Sequence, residues 1–202
     1  MNVETNPNEY GSIVEVAYED FKQQVLFWVN KIQSNDDIYD LAFFKIFVKF
    51  EKFLVITFKE YICGNGTSEY IPECKLTFTD ISHFERLVKS NSRGSFIDYL
   101  NIMEKFSKEV FKNHKNPFDC IFADAELKDL YNKMRYLRNH IAHESSESKD
   151  KYHRFVLNQQ QFQEPNEHLK KLHRSSNASY FTHYITAIEK AASVIKNPSP
   201  FL

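Results

Sequence analysis

Four glycines in 202 residues leave this chain short of the residue that tight turns and phosphate-cradling loops need. No Gly-rich loop of the P-loop or dinucleotide kind occurs, so ATPase and Rossmann dehydrogenase chemistry lose their main support. Sandwiches and barrels are disfavoured as well, because their frequent turns draw on Gly and Pro. Cys63, Cys74 and Cys120 are odd in number and lack CxxC spacing, which points to free thiols rather than a zinc site or a disulfide framework. No charge of one sign dominates, the formal net charge being −1. A protein that holds nucleic acid by bulk charge is thereby excluded, and any such binding needs a local patch. No apolar run reaches the ~18 to 20 residues of a membrane span. The richest stretch, Leu41 to Ile62, is broken by Lys45, Lys49, Glu51, Lys52, Lys59 and Glu60. Met1 to Tyr10 is polar and acidic, without the basic start and apolar core of a secretory signal, so a cytoplasmic location is expected.

What the chain has in quantity is phenylalanine, nineteen of them, arranged at helical spacing. Ser12 to Gln33 reads as an amphipathic helix through Ile13, Val16, Ala17, Phe21, Val25, Trp28 and Ile32. A second helix, about Asp37 to Cys63, carries Leu41, Phe44, Val48, Val55, Phe58 and Ile62 as its inner stripe, broadened by Phe43, Phe47, Phe50, Phe53 and Leu54. A helix apolar on most sides is central to a bundle or lies in a subunit contact. Gly64-Asn65-Gly66 then breaks the chain, and Thr67 to Phe78 is expected as loop, with an extended piece near Lys75 to Thr79. A short helix capped at Thr79 or Asp80, a helix from Ser95 to Lys112, a long one from about Ala123 and a last one from Ser176 to Lys196 follow. Ser145 to Asp150 reads as a polar break, Lys151 to Gln163 is open between helix and loop, and loop is expected from there to Arg174. The expectation is one all-α domain over 1–202, an antiparallel bundle of about five to six helices with few or no strands. Tails at 1–10 and 197–202 are expected to be flexible unless docked.

The densest cluster of reactive side chains ends the long helix: Arg135, Arg138, Asn139, His140 and His143. Arg138 to His143 reads Arg-Asn-x-x-Ala-His. This resembles the HEPN superfamily (higher eukaryotes and prokaryotes nucleotide-binding), helical bundles marked by Arg, a polar residue and a His four to six residues beyond the Arg. The likeness covers most of the chain as architecture, and only these six residues as sequence. It implies a metal-independent endoribonuclease without cofactor, working as a homodimer whose two motifs form one composite cleft, with RNA as substrate. Products with 2′,3′-cyclic phosphate and 5′-hydroxyl ends, and a toxin–antitoxin or phage-defence setting with an antitoxin or defence partner, are further implications. The rival expectation is a HEPN-like module that has lost the chemistry and binds RNA, a nucleotide or a protein.

The residues suit that chemistry independently. His143 can exchange a proton near neutral pH, since imidazole titrates near 6.5. Arg138 stays charged and can clamp phosphate oxygens, and the Asn139 amide both donates and accepts. Five residues apart, Arg138 and His143 differ by about 140° around a helix, whereas Asn139 and His143 share a side. Supporting positions are Arg135 and His140 on the same helix, Tyr131 further up it, and His153 and Arg154 beyond the polar break. Glu51 stands out as a carboxylate set within the apolar stripe of the second helix, where it either pairs with Arg138 or Arg135, holding a guanidinium from behind, or lies at the edge of the stripe on a solvated side. The plainer alternative for the motif is a helix C-terminus furnished with cations that suit its dipole. His140 and His143 find no third ligand at usable spacing, so no metal is expected.

Overall fold

Ser12 and Glu15 start the first helix with a reciprocal capping box. The Glu15 backbone N–H donates to Ser12 Oγ at 3.2 Å, and the Ser12 N–H donates to Glu15 Oε2 at 2.7 Å. A computed structural model describes residues 11–90, 99–113, 115–143 and 145–198. Among them are nine helices and one pair of two-residue strands, an all-α architecture. The helices are α1 (Ile13–Ser34), α2 (Tyr39–Ile62), α3 (Ile81–Ser90), α4 (Tyr99–Val110) and α5 (Asp119–Phe122). After them come α6 (Ala125–His143), α7 (Ser146–Phe155), α8 (Pro165–Lys170) and α9 (Tyr180–Lys196). The strands β1 (Leu172–His173) and β2 (Ala178–Ser179) pair antiparallel just before α9. The tail expected at 1–10, the break and helix start expected over 91–98, and residues 199–202 lie outside the described residues.

The chain divides into two compact units, one of Met1–Glu19, Phe53–Phe118 and Val194–Leu202, the other of Asp20–Lys52 and Asp119–Ser193. The first has a core of rings meeting edge to face, with Phe58 centred 5.7 Å from Phe84 and 5.6 Å from Phe118. Two of the four glycines do specific work here. Gly64 ends α2 at φ +81°, with its N–H on Tyr61 O and that of Asn65 on Glu60 O, a Schellman closure that needs the left-handed region. At Gly66 a Cβ would lie 2.1 Å from the Tyr70 carbonyl oxygen, so no side chain fits. Asp80 caps α3 as expected, its carboxylate accepting the His83 N–H at 2.9 Å. The start of the C-terminal tail is docked: Asn197 Nδ2 donates to Glu69 Oε2 at 2.7 Å, and Pro198 is buried.

The second unit contains the motif. Residues 35–38 turn α2 back along α1, where Phe21 meets Phe50 with ring centroids 5.6 Å apart. Ala42, Phe43, Ile46, Phe47 and Phe50 of α2 are fully buried. Each of the four larger side chains contributes about 1.5 to 3 kcal/mol by leaving water. The inner stripe expected through Leu41 and Val48 is therefore wrong by part of a turn: both are 41% exposed. Phe43, Phe47 and Phe50, expected only to broaden that stripe, form the inner side. α6 starts at Asp124, whose Oδ1 accepts the N–H groups of Glu126 and Leu127 at 2.8 and 3.0 Å. Its Tyr131, Met134, Leu137 and His140 are buried at three-residue spacing.

The expected polar break and loop after α6 need correction. Residues 146–150 are the first turns of α7, begun by Ser145, whose Oγ accepts the Ser148 N–H at 3.2 Å. The stretch read as loop up to Arg174 holds α8, with Pro165 in its first turn, and then β1.

Candidate active site

Ring contacts fix how α7 lies on α6. His140 stacks on Tyr152 with centroids 4.9 Å apart and planes 17° from parallel, and Tyr136 stacks on Phe155 at 4.8 Å and 21°. Numbers fall along α6 as they rise along α7, so the two helices form an antiparallel hairpin. Between them opens a cleft of about 190 Å³ walled by Tyr136, Asn139 and His143 of α6 and by Ser145, Glu147, Ser148 and Lys151 across from them. His143 is exposed.

Around the helix from this cleft, Arg138 reaches a different partner. Its Nη2 donates to both oxygens of Glu51, at 2.6 and 2.7 Å. Its Nη1 donates to Asn139 Oδ1 at 2.6 Å. The pair is largely shielded, with 22% of the Arg138 and 14% of the Glu51 side chain exposed. An arginine can only donate, so Asn139 must turn its carbonyl to Arg138 and keeps its Nδ2 donors for the cleft it shares with His143. The guanidinium is thus neutralised by Glu51 and orients its neighbour. The phosphate clamp expected of Arg138 is not open in this arrangement, since both Nη2 donors face a carboxylate and Nε is buried without a hydrogen-bond partner.

Glu51 pairs as expected but for another reason than expected. Of its neighbours on the supposed inner stripe, Phe44 and Val55 are half-buried, Val48 is exposed and only Phe58 is buried, and shielding comes from the Arg138 contact on the flank of α2. Packing puts it there: Phe47 and Phe50 rest on Tyr131, at 5.7 and 6.3 Å between centroids, which docks this part of α2 against α6.

The supporting residues separate. Tyr131 is buried among Phe47, Phe50 and Phe122, and the structure places it in the core and not on the cleft wall. His140 is buried against Tyr152, whereas His143, one turn on, is exposed. Arg135 is half-buried one turn before Asn139. His153 is half-buried, and its Nε2 lies 2.7 Å from the Gln160 carbonyl, where it ties the end of α7 to the following loop. Arg154 is exposed and lies over the Phe155 ring, 5.1 Å from its centre.

The sequence pattern does not point to five of the cleft residues: Tyr136, Ser145, Glu147, Ser148 and Lys151. Tyr136 was within reach, because 136, 139 and 143 form one helical stripe through two motif residues. Lys151 and Ser148 lie on a helix too polar to announce itself. Lys151 Nζ binds Glu147 Oε1 at 2.6 Å, one turn back on the same helix. That carboxylate pushes the Lys151 ammonium above its usual range, and Lys151 in turn holds Glu147 below its own. No group of three or more potential metal ligands occurs among the described residues. No described helix is long and apolar enough to cross a membrane. Compared with known proteins, the chain matches no family model, no curated protein and no solved structure.

Proposed function

We propose that this chain is a metal-independent endoribonuclease of the HEPN type. It would cleave RNA by attack of a ribose 2′-OH on the adjoining phosphate. The observation that carries the reading is the grouping of Glu51, Arg138 and Asn139, which aims the Asn139 amide into the cleft where His143 stands exposed. His143 takes the proton from the 2′-OH, and Asn139 Nδ2 donates to the phosphate as its charge grows. The 5′-oxygen leaves with a proton, so the products carry a 2′,3′-cyclic phosphate and a 5′-hydroxyl. One imidazole cannot withdraw and supply a proton in the same instant. That supports a homodimer in which the partner subunit's His143 is the acid. Within this proposal belong a cytoplasmic setting, and control of the activity by an antitoxin or another defence partner.

One observation favours a second reading. An arginine already neutralised by a carboxylate is what a binding module without chemistry would keep. Purified protein incubated with total RNA in excess EDTA separates the two. Wild type is expected to cut, and His143→Ala to cut ~10² to 10⁴ times more slowly. Equal cleavage by both overturns the role of His143, and loss of cleavage with EDTA overturns metal independence. Binding without cleavage assigns the module. A monomer by light scattering at micromolar concentration overturns the composite site.

A further inference from the structure

The cleft carries more than the proposed acid–base groups. Tyr136 is a cleft wall and gives one ring face to Phe155, which is itself 38% exposed. The Arg154 guanidinium lies over Phe155, so a cation and two parallel rings stand in sequence beside the cleft. Across the opening is Lys151, an exposed ammonium paired with Glu147, whose side chain is still more exposed. A stacked aromatic face, a movable cation and an amide donor within one opening form the set that recognises a nucleotide: ring, phosphate and edge. At about 190 Å³ the cleft falls below the ~300 to 1,000 Å³ typical of drug-sized ligands.

We propose that this cleft seats a single unpaired nucleobase of the RNA against Tyr136, while Lys151 leaves Glu147 for the adjoining phosphate. The inference rests on the RNA-directed reading of the site and adds where the unpaired nucleotide beside the cut is held: its base on Tyr136 and its phosphate at Lys151. Inside a duplex both faces of a base are covered by its neighbours and cannot meet a side-chain ring. The exchange at Lys151 is easy, because an exposed pair one turn apart on a helix is weak in water. Glu147 returns to solvent without disturbing α7.

The test is anisotropy of a short, labelled, fully 2′-O-methylated RNA with the full-length chain in EDTA. Methylation removes the attacking hydroxyl, so binding is read without cleavage. Wild type is expected to prefer the single strand to the same strand annealed to its complement. Tyr136→Leu should weaken single-strand binding about 5- to 100-fold, and Tyr136→Phe should bind as wild type. Lys151→Gln changes an exposed residue and leaves the fold intact. It should weaken binding and flatten the salt dependence by about 0.7 in log–log slope. Wild-type affinity in both Tyr136→Leu and Lys151→Gln, or equal affinity for single strand and duplex, overturns the base seat and leaves the RNA reading standing. No binding of either strand by wild type overturns both.

Discussion

Arg138 and His143 lie five residues apart on α6 and meet opposite surroundings. Arg138 is held by three hydrogen bonds on a shielded flank, and its charge is balanced by Glu51. His143 stands exposed in an open cleft, and among the described residues no carboxylate is paired with it. The difference follows from helix geometry, since five residues carry a side chain about 140° around the axis. One short motif therefore serves two sides of a helix. The inward residue fixes structure and orientation, and the outward one is available for chemistry.

If this contrast is right, the two ends should fail in different ways. The largest effect belongs to His143→Ala, with ~10² to 10⁴ lost in cleavage rate and an unfolding free energy within about 0.5 kcal/mol of wild type. Glu51→Ala should do the reverse first. It leaves a shielded guanidinium without its carboxylate and should cost about 2 to 4 kcal/mol in urea unfolding, with Glu51→Gln costing less. Equal stability of Glu51→Ala and wild type would remove the distinction between the two ends.

A third prediction sets a buried imidazole beside the exposed one. His168 is buried against Tyr180 and Tyr184, and burial, with Lys171 nearby, pulls it from 6.5 down to about 4. It is neutral in the fold, whereas the unfolded chain takes up a proton below 6.5. Its stabilisation is thus complete above pH 6.5 and is lost as pH falls towards 4, on the order of 3 kcal/mol. His183, stacked on His173 at 3.9 Å and lowered by burial and then by that neighbour, acts in the same direction. Glu15, held down to about 2 chiefly by the Ser68 hydroxyl, begins to respond only near pH 4.5. Urea unfolding at pH 7 and pH 4.5 should show the loss, and His168→Gln should shrink it. The smallest effect is expected at the cleft lip, where Glu147→Gln should leave the thermal midpoint unchanged.

The reach of the sequence follows the same inside–outside division. α1, α6 and α9 announce themselves through apolar residues at three- and four-residue spacing. α2 does so as a helix while hiding its orientation, because a helix apolar on most sides does not say which side is inward. The spacing puts Leu41 and Val48 in the core and Phe43 and Phe47 at its margin, and burial reverses this. Glu51 was singled out from that mistaken stripe, yet its pairing with Arg138 depends only on which flank of α2 meets α6. α7 is only partly legible, its start reading as a polar break and its continuation staying open between helix and loop. The reason is that a helix with few apolar residues besides Tyr152 and Phe155 resembles a polar loop in one dimension. Its first turn depends on a serine cap, a signal that many loops share. With α7 went one wall of the cleft, and with it Lys151 and Ser148.

The separation of Glu51 and Arg138 by 87 residues also has a meaning in time. At ~5 to 20 residues per second, a ribosome completes Glu51 roughly 4 to 17 seconds before it reaches Arg138. The cleft, by contrast, comes from two helices adjacent in sequence and closes by local contacts, which form quickly. A nascent chain therefore carries the carboxylate first and waits for the arginine that binds it. Once α6 emerges, the anchor and the cleft are completed almost together.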